Sequence, residues 1–449
     1  MRHRLQAKFS NAVDRLFPWA RVRCDPSSWR YRMLERRVPD LALPNPLIQR
    51  DGTRVESTTT WRETRREELL EMFRAIEYGR APAIQCETSW SHLTINEHAL
   101  DGIATRKEIR IFLTDDVDGP AFNLLLYIPN SLRLKGVAAP LFVGLNFFGN
   151  QTICSDDEIT ISTSWVPDNS ITHGRTGEML RGIQSSSWPI EYILSHGYGL
   201  ATAYYGDIVA DRADCVEFGI YRWFRDNGVQ GGAPDSWGAI GGWAWGLSRA
   251  MDYLCQDVDV DATKIALFGH SRLGKVALWA GAQDERFALV ISNNSGCGGA
   301  ALAMRMFGER VADVNSANPH WFCSNFKRFN HREEALPIDQ HELIALIAPR
   351  PVYVASAELD LAADPMGEFL AAKYSSCVYE MLGMVGLPNQ ELPPAGRPIM
   401  GTIGYHLRKG QHGITLFDWK QYMAFADLHL CDTRRYRSAP LVAAKGATS

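Results

Sequence analysis

A chain of 449 residues with 46% hydrophobic side chains is globular in type and has apolar material enough for one large domain or two. Its 47 basic and 51 acidic side chains are well mixed and leave a formal charge of -4, so no global field favours nucleic acid or an anionic membrane surface. No stretch has the length and apolarity of a membrane span, and His-Glu-x-x-His, a phosphate-binding P-loop and Gly-x-Gly-x-x-Gly are all missing, which sets aside the commonest metal, nucleotide and dinucleotide chemistries.

The N-terminus is basic (Met1-Arg2-His3-Arg4), but Lys8, Asp14 and Arg15 interrupt the residues after it, so a continuous apolar signal-peptide core is not visible. Residues 1–60, rich in arginine and proline, read as an irregular arm packed on the surface, and 436–449 as a C-terminal tail. The nine cysteines are scattered without a Cys-x-x-Cys pair, neither a disulfide framework nor a zinc pattern, and are expected as buried free thiols. Over 61–78 the apolar residues Leu69, Leu70, Met72, Phe73 and Ile76 recur at helical spacing among charges, predicting an amphipathic helix that stops before Gly79. Residues 108–113 and 122–128 read as an opening antiparallel pair. From Pro140 onward, buried strands (141–147, 199–205, 264–269, 287–292, 352–357, 398–405) alternate with helices (187–195, 237–255, the segment after Ser271, 341–347, 366–382, 416–430). Such alternation implies a mostly parallel sheet covered on both faces, an α/β-hydrolase architecture in one domain over 61–435. The long polar connections 149–188 and 295–340 fall at strand ends, where open α/β sheets bind ligands, and are expected to wall the site.

The stretch Lys264-Ile265-Ala266-Leu267-Phe268-Gly269-His270-Ser271-Arg272-Leu273-Gly274-Lys275 reads as strand, sharp turn, helix. A serine at the tip of such a turn is forced into a strained conformation, and small neighbours let strand and helix pass closely. Gly269 and Gly274 meet that need, although the second glycine comes three residues after the serine instead of two, so Leu273 must fit where glycine is commoner. Ser271 then sits at a helix N-terminus, where backbone N–H groups can stabilise an oxyanion.

A serine nucleophile needs a histidine to take its proton and an acid to orient that histidine, and in this fold both follow the serine in the order acid, histidine. The base is expected in the loop after the last strand, where His412 fits best; His406, at the end of that strand, is the alternative, and His429 falls inside the closing helix. The acid is expected after strand 352–357, where Glu358, Asp360 and Asp364 stand. Asp360, just past the strand, can be buried against the imidazole; Glu358 falls partly in the strand, and Asp364 before Pro365 resembles a helix N-cap.

With these pieces assembled, the chain resembles the glucuronoyl esterases among the carbohydrate esterases, in their bacterial branch. The most specific marker is Gly269-His270-Ser271-Arg272-Leu273-Gly274-Lys275, joined by Leu145-Asn146-Phe147-Phe148-Gly149-Asn150, Phe307-Gly308-Glu309, Pro319-His320-Trp321-Phe322, Ala363-Asp364-Pro365 with Gly367-Glu368-Phe369, and His412-Gly413 with Phe417-Asp418-Trp419. The resemblance implies cleavage, without a cofactor or metal, of the ester joining a 4-O-methyl-glucuronate substituent of xylan to a lignin alcohol. It assigns nucleophile, base and oxyanion support to Ser271, His412 and Arg272, and contact with sugar hydroxyls to Lys275 and Glu309. It also implies a periplasmic or secreted setting. A monomer is expected, and the mixed charge and the lack of an apolar span leave neither nucleic acid nor membrane as an expected partner. Two departures stand out. Where some members carry a triad glutamate after the strand following the elbow, this chain reads Asn293-Asn294-Ser295-Gly296, which shifts the charge to Asp360. Where a tryptophan often precedes the Ala-Asp-Pro, this chain has Leu361-Ala362, leaving sugar stacking to Trp321 or another of its thirteen tryptophans. Two other functions compete: an acetyl or other carbohydrate esterase with the same triad, and a non-catalytic carbohydrate-binding relative.

Overall fold

The computed structural model describes residues 33–82, 88–167, 174, 177–228, 231–389 and 391–431. Among them nine strands form one sheet: β1 (Ser89–Ala99), β2 (Ala104–Phe112), β3 (Ala121–Pro129), β4 (Ala139–Asn146), β5 (Gly199–Tyr204), β6 (Val260–His270), β7 (Leu289–Asn293), β8 (Val352–Ala357) and β9 (Ile403–Arg408). The spatial order is β1-β2-β3-β5-β4-β6-β7-β8-β9. The first three strands and the join of β3 to β5 are antiparallel, and every pairing from β5 to β9 is parallel. This is the α/β-hydrolase fold, and it brings the carboxyl ends of β4 to β9 to one edge. The central strands are apolar runs such as Ile265-Ala266-Leu267-Phe268, because helices cover them on both sides and neither face meets water.

The antiparallel pair expected from the sequence is β2 and β3, but it is preceded by β1, which the sequence reading missed. β1 is an edge strand whose Leu93 and Ile95 are exposed, so its residues carry no buried run to announce it. The helix expected over 61–78 runs from Thr58 to Tyr78 with a wider-turned stretch at each end, and Gly79 at φ 83° stops it. The helix expected over 366–382 is two, Pro365–Tyr374 and Ser376–Met381, broken where the Ser375 hydroxyl donates back to the Ala372 carbonyl. The strand expected over 398–405 begins only at Ile403, because Ile399 folds back to exchange both backbone hydrogen bonds with Tyr405. The connection 295–340 is not structureless: it holds the helix Val311–Ala317.

Residues 1–32 of the expected arm and the tail 436–449 lie outside the described residues. The described part of the arm is fastened to the domain: His341 donates from Nε2 to the Pro44 carbonyl, and Arg65 donates to the Pro46 carbonyl. Of the cysteines, Cys154, Cys215, Cys297 and Cys323 are buried free thiols, whereas Cys255 is exposed and Cys377 half-buried, correcting the expectation that all would be buried; Cys24 and Cys86 lie outside the described residues. Among the described residues, no helix is long and apolar enough to cross a membrane.

Candidate active site

The strand β6 ends at His270, and Ser271 turns the chain into the helix Arg272–Gln283 with φ 57° and ψ -130°, a left-handed backbone that few L-residues adopt. The turn is held by the Ser271 N–H donating to the Asn293 carbonyl at 2.9 Å. Its closeness explains the glycines: a Cβ on Gly269 would fall 1.9 Å from the Leu273 carbonyl oxygen, and one on Gly274 2.9 Å from the Ser295 Cβ. Leu273 is accommodated by pointing into the core, where it is 2% exposed.

At the ends of the next strands stand the expected partners. Asp360 follows β8, His412 follows β9, and Asp360 Oδ2 lies 2.6 Å from His412 Nδ1. Burial alone would raise the Asp360 carboxyl, but the His412 ring and a hydrogen bond from Asn294 hold it below the usual aspartate range. An ionised Asp360 fixes the proton of His412 on Nδ1 and leaves Nε2 able to accept one. The ring is a third exposed, with side-chain accessibility of 33%. Ser271 Oγ makes no hydrogen bond with His412 among the described residues; the two loops meet through His270, whose ring centroid lies 4.6 Å from that of His412. A long nucleophile-base separation is common before substrate arrives.

The alternatives find other employment. His406 is fully buried in β9 between Asp418 Oδ1 at 2.9 Å and the Tyr353 hydroxyl at 3.0 Å. His429 lies 2.9 Å from the Gly401 carbonyl. Asp364 caps the helix Pro365–Tyr374 by accepting from the Gly367 N–H, and pairs with Arg305 at 2.8 Å. Glu358 is half-buried, with its backbone N–H on the Arg408 carbonyl.

On the other side of Ser271, Arg272 is buried and ion-paired with Asp211, with its guanidinium 5.1 Å from the centre of the Trp321 ring and 5.5 Å from that of Phe147. Lys275, one turn further along the helix, is also buried; Nζ donates to the carbonyls of Ser295 and Cys297, both at 2.5 Å, and lies 5.9 Å from the Trp321 ring centre. Trp321 is thus a support shared by two cations, 5% exposed, and not an open platform of the kind sugar stacking needs. Glu309 is half-buried, and its carboxylate makes no hydrogen bond or ion pair among the described residues. Burial raises its pKa, with Asp313 and Asp360 adding to the rise while Lys275 and His412 oppose it. A carboxylate without a partner in such a setting is a ready acceptor for ligand hydroxyls.

Several contributors escaped the sequence reading. Asn294, noted there only as a departure, has φ 47° and donates from Nδ2 to Asp360 Oδ2 at 2.9 Å. Behind it the buried Glu368 accepts from the N–H groups of Ser295 and Gly296 at 2.7 and 3.0 Å and from the Ser356 hydroxyl at 2.6 Å, fixing the turn whose carbonyls hold Lys275. His270 lies 2.6 Å from Asn293 Oδ1 through Nδ1, and its pKa is pulled down to about 3 by burial and the neighbouring His412, so it packs as a neutral ring. Asp211, in the loop beyond β5, precedes the nucleophile in sequence, outside the range in which triad partners are sought. The one signal that pointed toward it was the Pro319-His320-Trp321-Phe322 motif, whose His320 and Trp321 both bond Asp211 at 2.7 Å. Among the described residues no group of three or more His, Cys, Asp or Glu side chains is placed to hold a metal.

Comparison with known proteins points to one family. A family model described as glucuronyl esterase, fungi, matches residues 232–383, from the helix before the elbow to the helix after Asp360. The carbohydrate esterase MZ0003 of an unknown prokaryotic organism is 46% identical over 412 residues, covering 91% of this chain and 94% of its own. The glucuronoyl esterase from Solibacter usitatus is 43% identical with a TM-score of 0.83, over 88% of this chain and 100% of its own. A 4-O-methyl-glucuronoyl methylesterase from Phanerochaete carnosa is 29% identical over 70% of this chain and 65% of its own. The protein is therefore a carboxylic ester hydrolase built on the α/β-hydrolase fold. Within that class, the chain belongs to the glucuronoyl esterase family of carbohydrate esterases, in its bacterial branch.

Proposed function

We propose that the protein hydrolyses esters between 4-O-methyl-glucuronate on xylan and an alcohol, by acyl transfer through Ser271. The observation that carries this reading is the convergence on one elbow of an acid-histidine pair, Asp360 and His412 at 2.6 Å, and a cation-carboxylate set, Arg272, Lys275 and Glu309. In the first half-reaction His412 takes the Ser271 proton as Oγ adds to the uronate carbonyl carbon. The negative charge gathers on the carbonyl oxygen, beside the helix N-terminus and the Arg272 guanidinium. The C–O bond to the alcohol then breaks, His412 returns the proton to the leaving oxygen, and the acyl-serine remains. Water activated by the same imidazole releases the uronic acid and restores Ser271. Lys275 spends two donors on backbone carbonyls, which fixes its Nζ and leaves a third for a sugar hydroxyl. Glu309 supplies the matching acceptor.

One observation favours a broader ester range: Leu361-Ala362 stand where the family often has a tryptophan, so a sugar ring is gripped less firmly there. The test is alcohol release from a benzyl ester of glucuronate beside an acetylated xylan oligosaccharide, with wild type and Ser271→Ala. Turnover of the uronate ester that is lost in Ser271→Ala is the expected result. Turnover of the acetyl ester alone assigns an acetyl esterase on the same fold. Oligosaccharide affinity without serine-dependent turnover of either ester assigns a binding protein.

A further inference from the structure

Asp211 is a buried acid beside Ser271 that none of the acyl-transfer steps uses. Its two oxygens receive four donors: Oδ2 takes the Arg272 guanidinium and the Tyr205 hydroxyl at 2.9 Å, and Oδ1 takes His320 Nε2 and the Trp321 indole N–H, each at 2.7 Å. The Tyr205 hydroxyl is also within 3.3 Å of the Arg272 nitrogen that bonds Asp211. The guanidinium is further enclosed by the rings of Phe147 and Trp321, on loops after β4 and before β8. Three separate segments of chain therefore meet on one carboxylate, and that carboxylate meets the residue next to the nucleophile.

We infer that Asp211 is a positioning residue for Arg272: it fixes the guanidinium beside the point where the oxyanion forms and supplies the countercharge that lets a cation stay buried there. This deepens the esterase reading and rests on it. A guanidinium stabilises a developing oxyanion most when it is already oriented and needs no reorganisation at the moment of reaction. Arginine has one rigid fork, and a carboxylate that holds one edge of it sets the direction of the rest. A buried guanidinium without its partner would instead turn toward water or draw water in. Asp211 does not touch the reacting atoms, so its contribution to rate passes through Arg272.

A double-mutant cycle with Asp211→Asn, Arg272→Gln and the pair, measured on the benzyl glucuronate ester and on p-nitrophenyl acetate, tests this, since any acyl transfer builds the same oxyanion. Asp211→Asn is expected to lower kcat by about 10²-fold with KM within about 3-fold, and the double variant to be no slower than Arg272→Gln alone. Tyr205→Phe, which removes one hydroxyl from the same junction, is expected to lower kcat about 3- to 10-fold with Tm within a few degrees of wild type, and carries the test if Asp211→Asn does not fold. Additive losses in the cycle, or an Asp211→Asn or Tyr205→Phe enzyme with kcat unchanged, overturn the inference. A wild type that cleaves p-nitrophenyl acetate but not the uronate ester overturns the substrate reading and leaves the cycle on acetate to decide the role of Asp211. A wild type that cleaves neither overturns both.

Discussion

Asp360 and Asp211 flank the same serine, and both carboxyls lie below the ordinary aspartate range although burial pushes each the other way. Their partners differ. Asp360 holds the imidazole of His412, a third exposed, which on the proposed mechanism gains and loses a proton in every turnover. Asp211 holds the guanidinium of Arg272, buried between two aromatic rings, a group that never titrates in the working range. One side of Ser271 is thus open to water and, on the proposed mechanism, moves protons; the other is closed and holds charge still. The difference shows how a single residue type serves two purposes: a carboxylate beside a titratable ring sets a tautomer, and the same carboxylate beside a permanent cation sets a field.

The comparison breaks first on its mobile side. His412→Ala removes the proton carrier and is expected to lower kcat on the order of 10⁴-fold at neutral pH, read by steady-state kinetics on the benzyl ester. Asp360→Asn keeps the shape but offers an amide donor where the ring needs an acceptor, and a loss of about 10³- to 10⁴-fold is expected. If His406 paired with Asp418 were the working dyad, both variants would retain near-normal kcat. Glu309→Gln sharpens the view of the substrate side. It is expected to raise KM for the uronate ester about 10-fold or more while leaving hydrolysis of p-nitrophenyl acetate within 2-fold, because that ester has no sugar hydroxyl for the carboxylate to receive. Ala362→Trp, which puts an aromatic ring where the resemblance leads one to expect it, is expected to lower the uronate KM a few-fold with kcat unchanged.

The smallest effect concerns stability beneath the site. Burial pushes the Glu368 carboxyl from about 4.5 up to about 8, so the folded protein favours its protonated form. That contribution is fully present below the ordinary glutamate value and is lost as pH rises through about 8. Glu368→Gln keeps a neutral side chain of the same shape throughout. The variant's Tm is expected to match wild type near pH 4 and exceed it by a margin that grows as pH rises toward 9, measured by differential scanning calorimetry. Equal pH slopes in the two proteins would place the charge elsewhere.

How much of this was legible in the sequence obeys the same division. Ser271 was reached from the strand-turn-helix elbow, and Asp360 and His412 from chain order and their places just past buried apolar strands; the structure puts the last two 2.6 Å apart. Arg272, Lys275 and Glu309 were reached through a motif, and their burial and bonding were not visible there. Asp211 lies in a loop with no periodic pattern, 61 residues before its arginine, and nothing local distinguishes it from a surface acid. Asn294 was legible as a missing charge, yet its bond to Asp360 depends on a left-handed turn that the sequence Asn293-Asn294-Ser295-Gly296 permits without requiring. β1 was missed because an edge strand with exposed apolar residues has the pattern of a loop. Trp321 was offered, with the other tryptophans, as a replacement for the sugar face missing at Leu361-Ala362, and in the structure its ring lies against two cations.

The closeness of Gly269 to the Leu273 carbonyl also governs how this protein can change. A library carrying every amino acid at each position would leave 269 with almost no survivors, since even a methyl group would have to occupy space 1.9 Å from that oxygen. The walls share the constraint in one place: at Gly308, beside Glu309, φ is 62° and a Cβ would fall 2.5 Å from the Leu361 carbonyl oxygen. Exposed side chains of the walls such as Leu361 meet no such barrier, so new ester preferences are reached by drift there while the elbow is inherited as a block.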